Sequence, residues 1–204
     1  MSKINQASNT QTKPLKIGFD FDGVILFNPA RTLRPFISLL KAKQVGVKRK
    51  HLEFYHPQNN LAKTMWWLAH QTSLLPAQGL DELRKLIGQQ KIEAHLITGR
   101  NSYLANDLLW KLRLFGLNDL FKTVQITKDT LQQPHLFKAE LIKKLGLDIF
   151  VEDNWDIVSY LAKQFDQNDP KQPRIYWITN RFDKRFDYRH RFNNLKEVIK
   201  AIKG

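Results

Sequence analysis

Two aspartates one residue apart, Asp20 and Asp22, close the apolar run Ile17-Gly18-Phe19, and Gly23 follows at once. Side chains at i and i+2 of a strand share a face, so both carboxylates would meet one site where strand gives way to loop. Gly23 lets the backbone turn sharply there. Like charges this close repel, and the repulsion is relieved by a bound cation, by a raised pKa on one partner, or by both. Each is a device of a reactive site. Asp and Gly after a strand are also ordinary turn formers, so the pair needs support from elsewhere in the chain.

Strands and helices alternate from residue 15 onward. The pattern predicts strands over residues 15–21, 93–98, 121–127, 148–152 and 174–179. Helices are expected over 32–43, 80–90, a stretch from 101 or 102 to 115, 136–145, 156–164 and 195–203. Leu104, Leu108, Leu109, Leu112 and Phe115 recur as an apolar helical face, with Gly116 and Gly146 at helix ends. Such alternation implies a doubly wound, Rossmann-like α/β domain with a parallel sheet of about five strands. Residues 29–79 interrupt the rhythm with His51, Phe54, Tyr55, His56, Trp66, Trp67 and His70 and no good parallel strand. They are expected to form a small helical insert within a core made of 14–28 and 80–204, behind a flexible tail over 1–13.

The 204 residues suffice for one such core with an insert. Five Trp and thirteen Phe mark a globular chain, and no apolar run approaches a membrane span. The first dozen residues lack the apolar stretch of a signal peptide, so the cytoplasm is the default expectation and no membrane partner is expected. With no Cys, disulfides, thiolate nucleophiles and cysteine-based zinc sites are excluded. A net charge of +14 favours anionic partners: phosphorylated small molecules, or nucleic acid.

In open α/β sheets ligands bind at the carboxyl ends of the strands. Those ends carry Asp20 and Asp22, then Thr98, Gly99 and Arg100, then Glu152, Asp153 and nearby Asp156. Lys138 begins the helix that precedes the fourth strand and shares it with Lys143 and Lys144. This set, in this order, resembles the haloacid dehalogenase (HAD) superfamily of phosphotransferases. Its four motifs match DFDGV at 20–24, LITGR at 96–100, Lys138, and VEDNWD at 151–156. The resemblance implies that Asp20 is a nucleophile forming an aspartyl phosphate and that Asp22 is the acid/base. It implies Mg²⁺ between the Asp20 carboxylate, the Asp22 backbone carbonyl and Asp153, and phosphate held by Thr98, Gly99 and Lys138. Arg100 and Asp156 would support the site. Counted from Asp153, Asp156 comes early for the last motif; counted from Glu152 it fits, so both Glu152 and Asp153 stand as metal candidates. The second aspartate of the first motif points to phosphate esters rather than haloacids.

The insert occupies the position of a helical cap in that superfamily. Trp66 and Trp67, with Phe27 and Asn28, are therefore candidates for substrate contact, against packing of the two tryptophans as core of the insert. The run from Ile175 to Arg181 is similar to a region of C-type 5′-nucleotidases, where a strand leads to an asparagine-arginine pair. That family usually has a proline before the pair and a tryptophan later; Thr179 and Asn194 stand near those places. Arg181 joins the substrate candidates on this ground. The expected function is a Mg²⁺-dependent phosphomonoesterase acting on nucleotides. The alternatives are a phosphatase of polynucleotide ends, with Lys184, Arg185, Arg189 and Arg191 tracking the backbone, or a non-catalytic nucleic-acid-binding protein on the same scaffold.

Overall fold

A computed structural model describes residues 13–29, 52–128, 132–179 and 186–203. The helix expected over 32–43, His51, the tail over 1–12, and Asn180, Arg181, Lys184 and Arg185 lie outside the described residues. Strand β1 (Leu15–Phe19) leads to β2 (Leu26–Phe27), helix α1 (Asn60–Gln71) and β3 (Leu75–Pro76). Helix α2 (Leu80–Gly88) precedes β4 (Ile92–Asn101), a 3₁₀ turn (Ser102–Leu104) and α3 (Ala105–Leu114). Strand β5 (Thr123–Thr127), α4 (Pro134–Leu145), β6 (Ile149–Glu152) and α5 (Trp155–Gln164) follow, and β7 (Arg174–Ile178), β8 (Arg191–Phe192) and α6 (Leu195–Lys203) complete the order.

The main sheet runs β5-β4-β1-β6-β7-β8, and every pairing in it is parallel. Among the described residues it has six strands where the sequence pattern suggests about five. The sixth, β8, pairs Trp177 with Arg191 and Ile178 with Phe192, and two residues are too few to show an alternation. The first connection runs from β1 to β4 on one side, and the chain later returns to β6 on the other. This reversal opens a crevice at the carboxyl ends of β1, β4 and β6.

The sheet is apolar on both faces, and the period-two alternation of its strands divides the core. Ile17 and Phe19 of β1, Ile149 and Val151 of β6, and Tyr176 and Ile178 of β7 pack with Leu83, Leu108, Val198 and Ile199 of α2, α3 and α6. Phe150, Ile175 and Trp177 point the other way, into Phe137, Ile142, Ile157 and Leu161 of α4 and α5. Gly18 sits on that second face because Phe150 and Leu147 fill its place: a Cβ there would lie 2.6 Å from Leu147 Cδ1 and 2.8 Å from Phe150 Cδ2.

Three local expectations change. Leu109 is exposed, because one residue past Leu108 turns about 100° away from the buried stripe. β4 continues to Asn101 through a register shift between Thr98 and Asn101, so the Thr98-Gly99-Arg100 segment belongs to an irregular strand end rather than a free loop. Helix α1 is capped by Asn59, whose side chain accepts from the Ala62 amide at 2.8 Å, and none of its residues is buried. Trp66 and Trp67 therefore are not the core of the insert. β2 and β3 pair antiparallel, Leu26 with Pro76 and Phe27 with Leu75, so the two roots of the stretch that carries α1 are tied together. No helix among the described residues is long and apolar enough to cross a membrane.

The close packing at Gly18 yields a test. Gly18→Ala should destabilise the fold by about 1–3 kcal/mol through overpacking, seen as a lower urea midpoint at unchanged slope; an unchanged midpoint would contradict this packing.

Candidate active site

The aspartates are carried by a turn clamped to the neighbouring strands. The Asp20 amide donates to the Val151 carbonyl at 2.9 Å, and the turn closes through Gly23 N–H to Leu26 O (2.7 Å) and Ile25 N–H to Phe21 O (3.1 Å). Gly23 has φ +89°, and a Cβ there would collide with the Asp153 carboxylate, whose Cγ would be 2.7 Å away. Glycine is thus required twice over, for its backbone and for the space that Asp153 occupies.

At the ends of β1 and β6, Asp20, Glu152 and Asp153 are all buried, with carboxylate oxygens within 4.8 Å of one another. The Lys138 ammonium enters this cluster from α4, 2.6 Å from Glu152 Oε2 and 3.1 Å from Asp20 Oδ1. Lys143 and Lys144, on the last turn of the same helix, are exposed. Glu152 Oε1 accepts from the Asp153 and Asn154 amides at 3.0 and 2.9 Å, so both of its oxygens are engaged. Burial pushes the Asp20 carboxyl up, to about 6, with Lys138 opposing and Asp153 and Asp22 adding to the rise. Burial likewise raises Glu152, to about 8, against the pull of Lys138. Burial alone would depress Lys138, but Asp20 and Glu152 more than reverse this and hold it protonated.

Asp22 has a different partner. Arg100 Nε donates to Asp22 Oδ2 at 2.7 Å and Nη2 donates to Oδ1 at 2.8 Å, a two-pronged pair buried in the cleft. Burial works against the Asp22 charge, yet the guanidinium beside it holds the carboxyl well below the usual range. The third arm, Nη1, donates to Asp107 Oδ2 at 2.6 Å, and the guanidinium lies over the Phe21 ring at 5.0 Å. Asp107 Oδ1 accepts from Gln71 Nε2 (2.7 Å), and the wholly buried Lys111 ammonium donates to the His70 carbonyl (2.6 Å), 3.5 Å from Asp107. Through these bonds the end of α1 rests on α3. His70 Nε2 lies 3.9 Å from Asp22 Oδ2, and burial lowers its pKa despite that neighbour.

The acids form the floor of a cleft of about 140 Å³ that Thr98, Gly99, Arg100, Asn101, Lys138 and Asn154 also line. Phe54, Tyr55, His56, Trp66 and His70 form a further wall of the same cleft. Gln133 fastens this wall to the start of α4: its Oε1 accepts from the Phe54 amide at 2.8 Å, and its Nε2 lies 3.2 Å from His56 Nε2. Thr98 is buried, and Gly99 allows Pro134 to approach, since a Cβ would be 3.0 Å from its ring.

The structure brings Asp20, Asp22, Thr98, Gly99, Arg100, Lys138, Glu152, Asp153 and Trp66 to this cleft. Trp67 is on the outer side of α1 and 42% exposed, one helical step out of phase with Trp66. Phe27 is exposed on β2, and Asn28 is turned to the Thr72 hydroxyl, from which its Oδ1 accepts at 2.7 Å; neither lines the cleft. Asp156 is exposed on the first turn of α5, where the Asn154 side chain accepts its amide, so it supports the helix start rather than the acid cluster. Asp107 and Lys111 were not among the candidates. Their signal was a lysine one residue before Leu112 on the buried face of α3, with an aspartate one turn before it.

The oxygen-only donor set suits a hard divalent cation. Five carboxyls (Asp20, Asp22, Asp107, Glu152, Asp153) meet three cations (Lys138, Arg100, Lys111), so with every carboxyl ionised the group would carry two excess negative charges, which such an ion would balance.

Neither a protein-family model nor a curated protein sequence matches the chain. Solved structures do. A HAD-superfamily hydrolase from Ehrlichia chaffeensis aligns over 94% of this chain and 97% of its own, at 15% identity and a TM-score of 0.52. CbbY from Rhodobacter sphaeroides, solved in complex with phosphate, aligns over 90% and 95% at 14% identity and 0.54. A HAD hydrolase of family IA, variant 3, from Entamoeba histolytica aligns over 93% and 100% at 14% identity and 0.55. The chain has the fold of the HAD-superfamily hydrolases.

Lys138 is the cation on which the acid cluster rests. Lys138→Met should cost about 3–5 kcal/mol in urea unfolding with EDTA present, because it strands buried carboxylates. Lys143→Met, at an exposed position, should stay within about 0.5 kcal/mol. Equal effects of the two would contradict the ion pairing.

Proposed function

We propose that this protein is a Mg²⁺-dependent phosphomonoester hydrolase working through an aspartyl phosphate on Asp20. The observation that carries this is the convergence of Asp20, Lys138, Glu152 and Asp153 at the sheet's reversal point, with a second aspartate two residues from the first. The phosphate-bound neighbour of the same fold supports phosphate chemistry here.

In this reading an Asp20 oxygen attacks phosphorus and the bond to the leaving oxygen breaks. Asp22 enters this step protonated, the negative charge of the bound phosphate opposing the pull of Arg100, and gives its proton to that oxygen. Water then attacks the phosphoryl group, the bond to Asp20 breaks, and Asp22 takes the proton that water loses. The Lys138 ammonium and the Thr98 hydroxyl hold phosphoryl oxygens and offset the charge that builds on them. Asp20 and Asp153 would hold Mg²⁺, since Glu152 has both oxygens engaged in orienting Lys138 and the β6–α5 turn. The ion supplies charge neutralisation and polarises the phosphoryl oxygen.

The residues over 29–79 act as a cap in this proposal, and the wall formed by Phe54, Tyr55 and Trp66 favours a leaving group with a flat ring, as in a nucleotide. The net charge of +14 suits a phosphate dianion as substrate.

Asp20→Asn should abolish release of phosphate from p-nitrophenyl phosphate, and activity equal to the parent's would rule out the nucleophile. EDTA should silence the parent and Mg²⁺ restore it; full turnover in a metal-free sample would overturn the metal assignment. Among phosphorylated metabolites and 5′- or 3′-phosphorylated oligonucleotides, nucleoside monophosphates should give the highest kcat/KM. Preference for the oligonucleotides would move the assignment to polynucleotide ends.

A further inference from the structure

The buried chain Asp22–Arg100–Asp107–Lys111 is more elaborate than a site needs to keep one carboxylate in place. Arg100 is 1% exposed and Lys111 is fully buried. Burying ions is costly unless their geometry is nearly ideal, so a chain of four that alternates in sign implies a demand for one fixed arrangement. Three arms of Arg100 are fixed, two by Asp22 and one by Asp107, and its carbonyl accepts from the Thr127 hydroxyl at 2.7 Å. The guanidinium fork is planar and rigid, so a carboxylate gripped by both prongs cannot rotate about its own axis. Each Asp22 oxygen has two lone-pair directions, and the fork takes one from each.

From this geometry we infer that Arg100 is the positioning residue for Asp22, with Asp107 and Lys111 as its anchor on α3. The inference rests on the phosphohydrolase reading, in which Asp22 exchanges a proton with the leaving oxygen. Arg100 sets the plane of the Asp22 carboxylate relative to Asp20. Asp107 sets Arg100 in turn, through the shortest bond of the chain, and Lys111 and Gln71 hold Asp107. A general acid must meet its oxygen at hydrogen-bond distance, and misplacement by about 1 Å can cost on the order of 10²-fold. Arg100 acts through another group and does not itself transfer a proton.

Leaving groups separate this role from a structural one. A poor leaving group, such as the alkoxide of an alkyl phosphate, needs the proton from Asp22 as its bond to phosphorus breaks. The p-nitrophenolate of p-nitrophenyl phosphate leaves without it. Arg100→Lys keeps the charge and loses the fork. It should lower kcat/KM for an alkyl monophosphate by about 30-fold or more, and for p-nitrophenyl phosphate by less than about threefold. Asp107→Asn should give the same selective loss at smaller size, and it carries the test if Arg100→Lys does not fold. Equal losses on both substrates, no loss on either, or a rise in KM with kcat unchanged would overturn the assignment; the last result would make Arg100 a phosphate-binding residue. If the parent hydrolyses neither substrate, or Asp20→Asn is as active as the parent, the phosphohydrolase reading itself falls and takes the inference with it. If the parent is active and Asp20→Asn is not, a non-selective Arg100→Lys removes the inference alone.

Discussion

The placement of buried charge governs this molecule. Four carboxyls crowd the carboxyl ends of β1 and β6, and a fifth stands behind them on α3. In a low-dielectric interior such a group repels itself apart unless cations are interleaved. The fold supplies them from two directions. Lys138 arrives from the α4 face and serves Asp20 and Glu152; Arg100 arrives along β4 and serves Asp22 and Asp107. The two aspartates of one turn thereby acquire opposite tendencies in the protein alone: burial and acidic neighbours raise the Asp20 carboxyl, while that of Asp22, despite burial, is lowered by Arg100. Sequence neighbours become chemically distinct because they answer to different cations.

This negative pocket lies within a chain of net charge +14. The two signs of charge act at different ranges. A net positive chain attracts anions over distance, whereas the acid cluster itself favours a cation. Aromatic side chains line the same cleft, and Gln133 accepts from the Phe54 amide beside it.

What could be read from the sequence follows from what each signal depends on. Asp20, Asp22, Thr98, Lys138 and the Glu152-Asp153 pair were legible because each sits at a strand end or helix start that the apolar pattern locates, and their order along the chain is distinctive. Lys138 could be told from Lys143 and Lys144 by place alone, and burial agrees. The Asp22–Arg100 fork was not legible as a contact: it spans 78 residues and depends on the register of β1 against β4. Trp67 and Leu109 depart from expectation for a common reason, helical phase, since one residue decides between cleft or core and solvent. Phe54, Tyr55 and His56 belong to no regular element, so no periodicity marks the wall they form. β8 escaped because two residues carry no pattern.

The central position of β1 has a consequence for how the molecule comes into being. On one side β1 pairs with β4; on the other Ile17 pairs with Ile149, and the Lys16 amide donates to Asp148 across 132 residues of sequence. The strand and the acids that complete the surroundings of the two aspartates lie far from them in sequence. Local interactions cannot assemble such a centre ahead of time, and contacts of this separation slow folding. The acid cluster is therefore complete only once the whole sheet has closed.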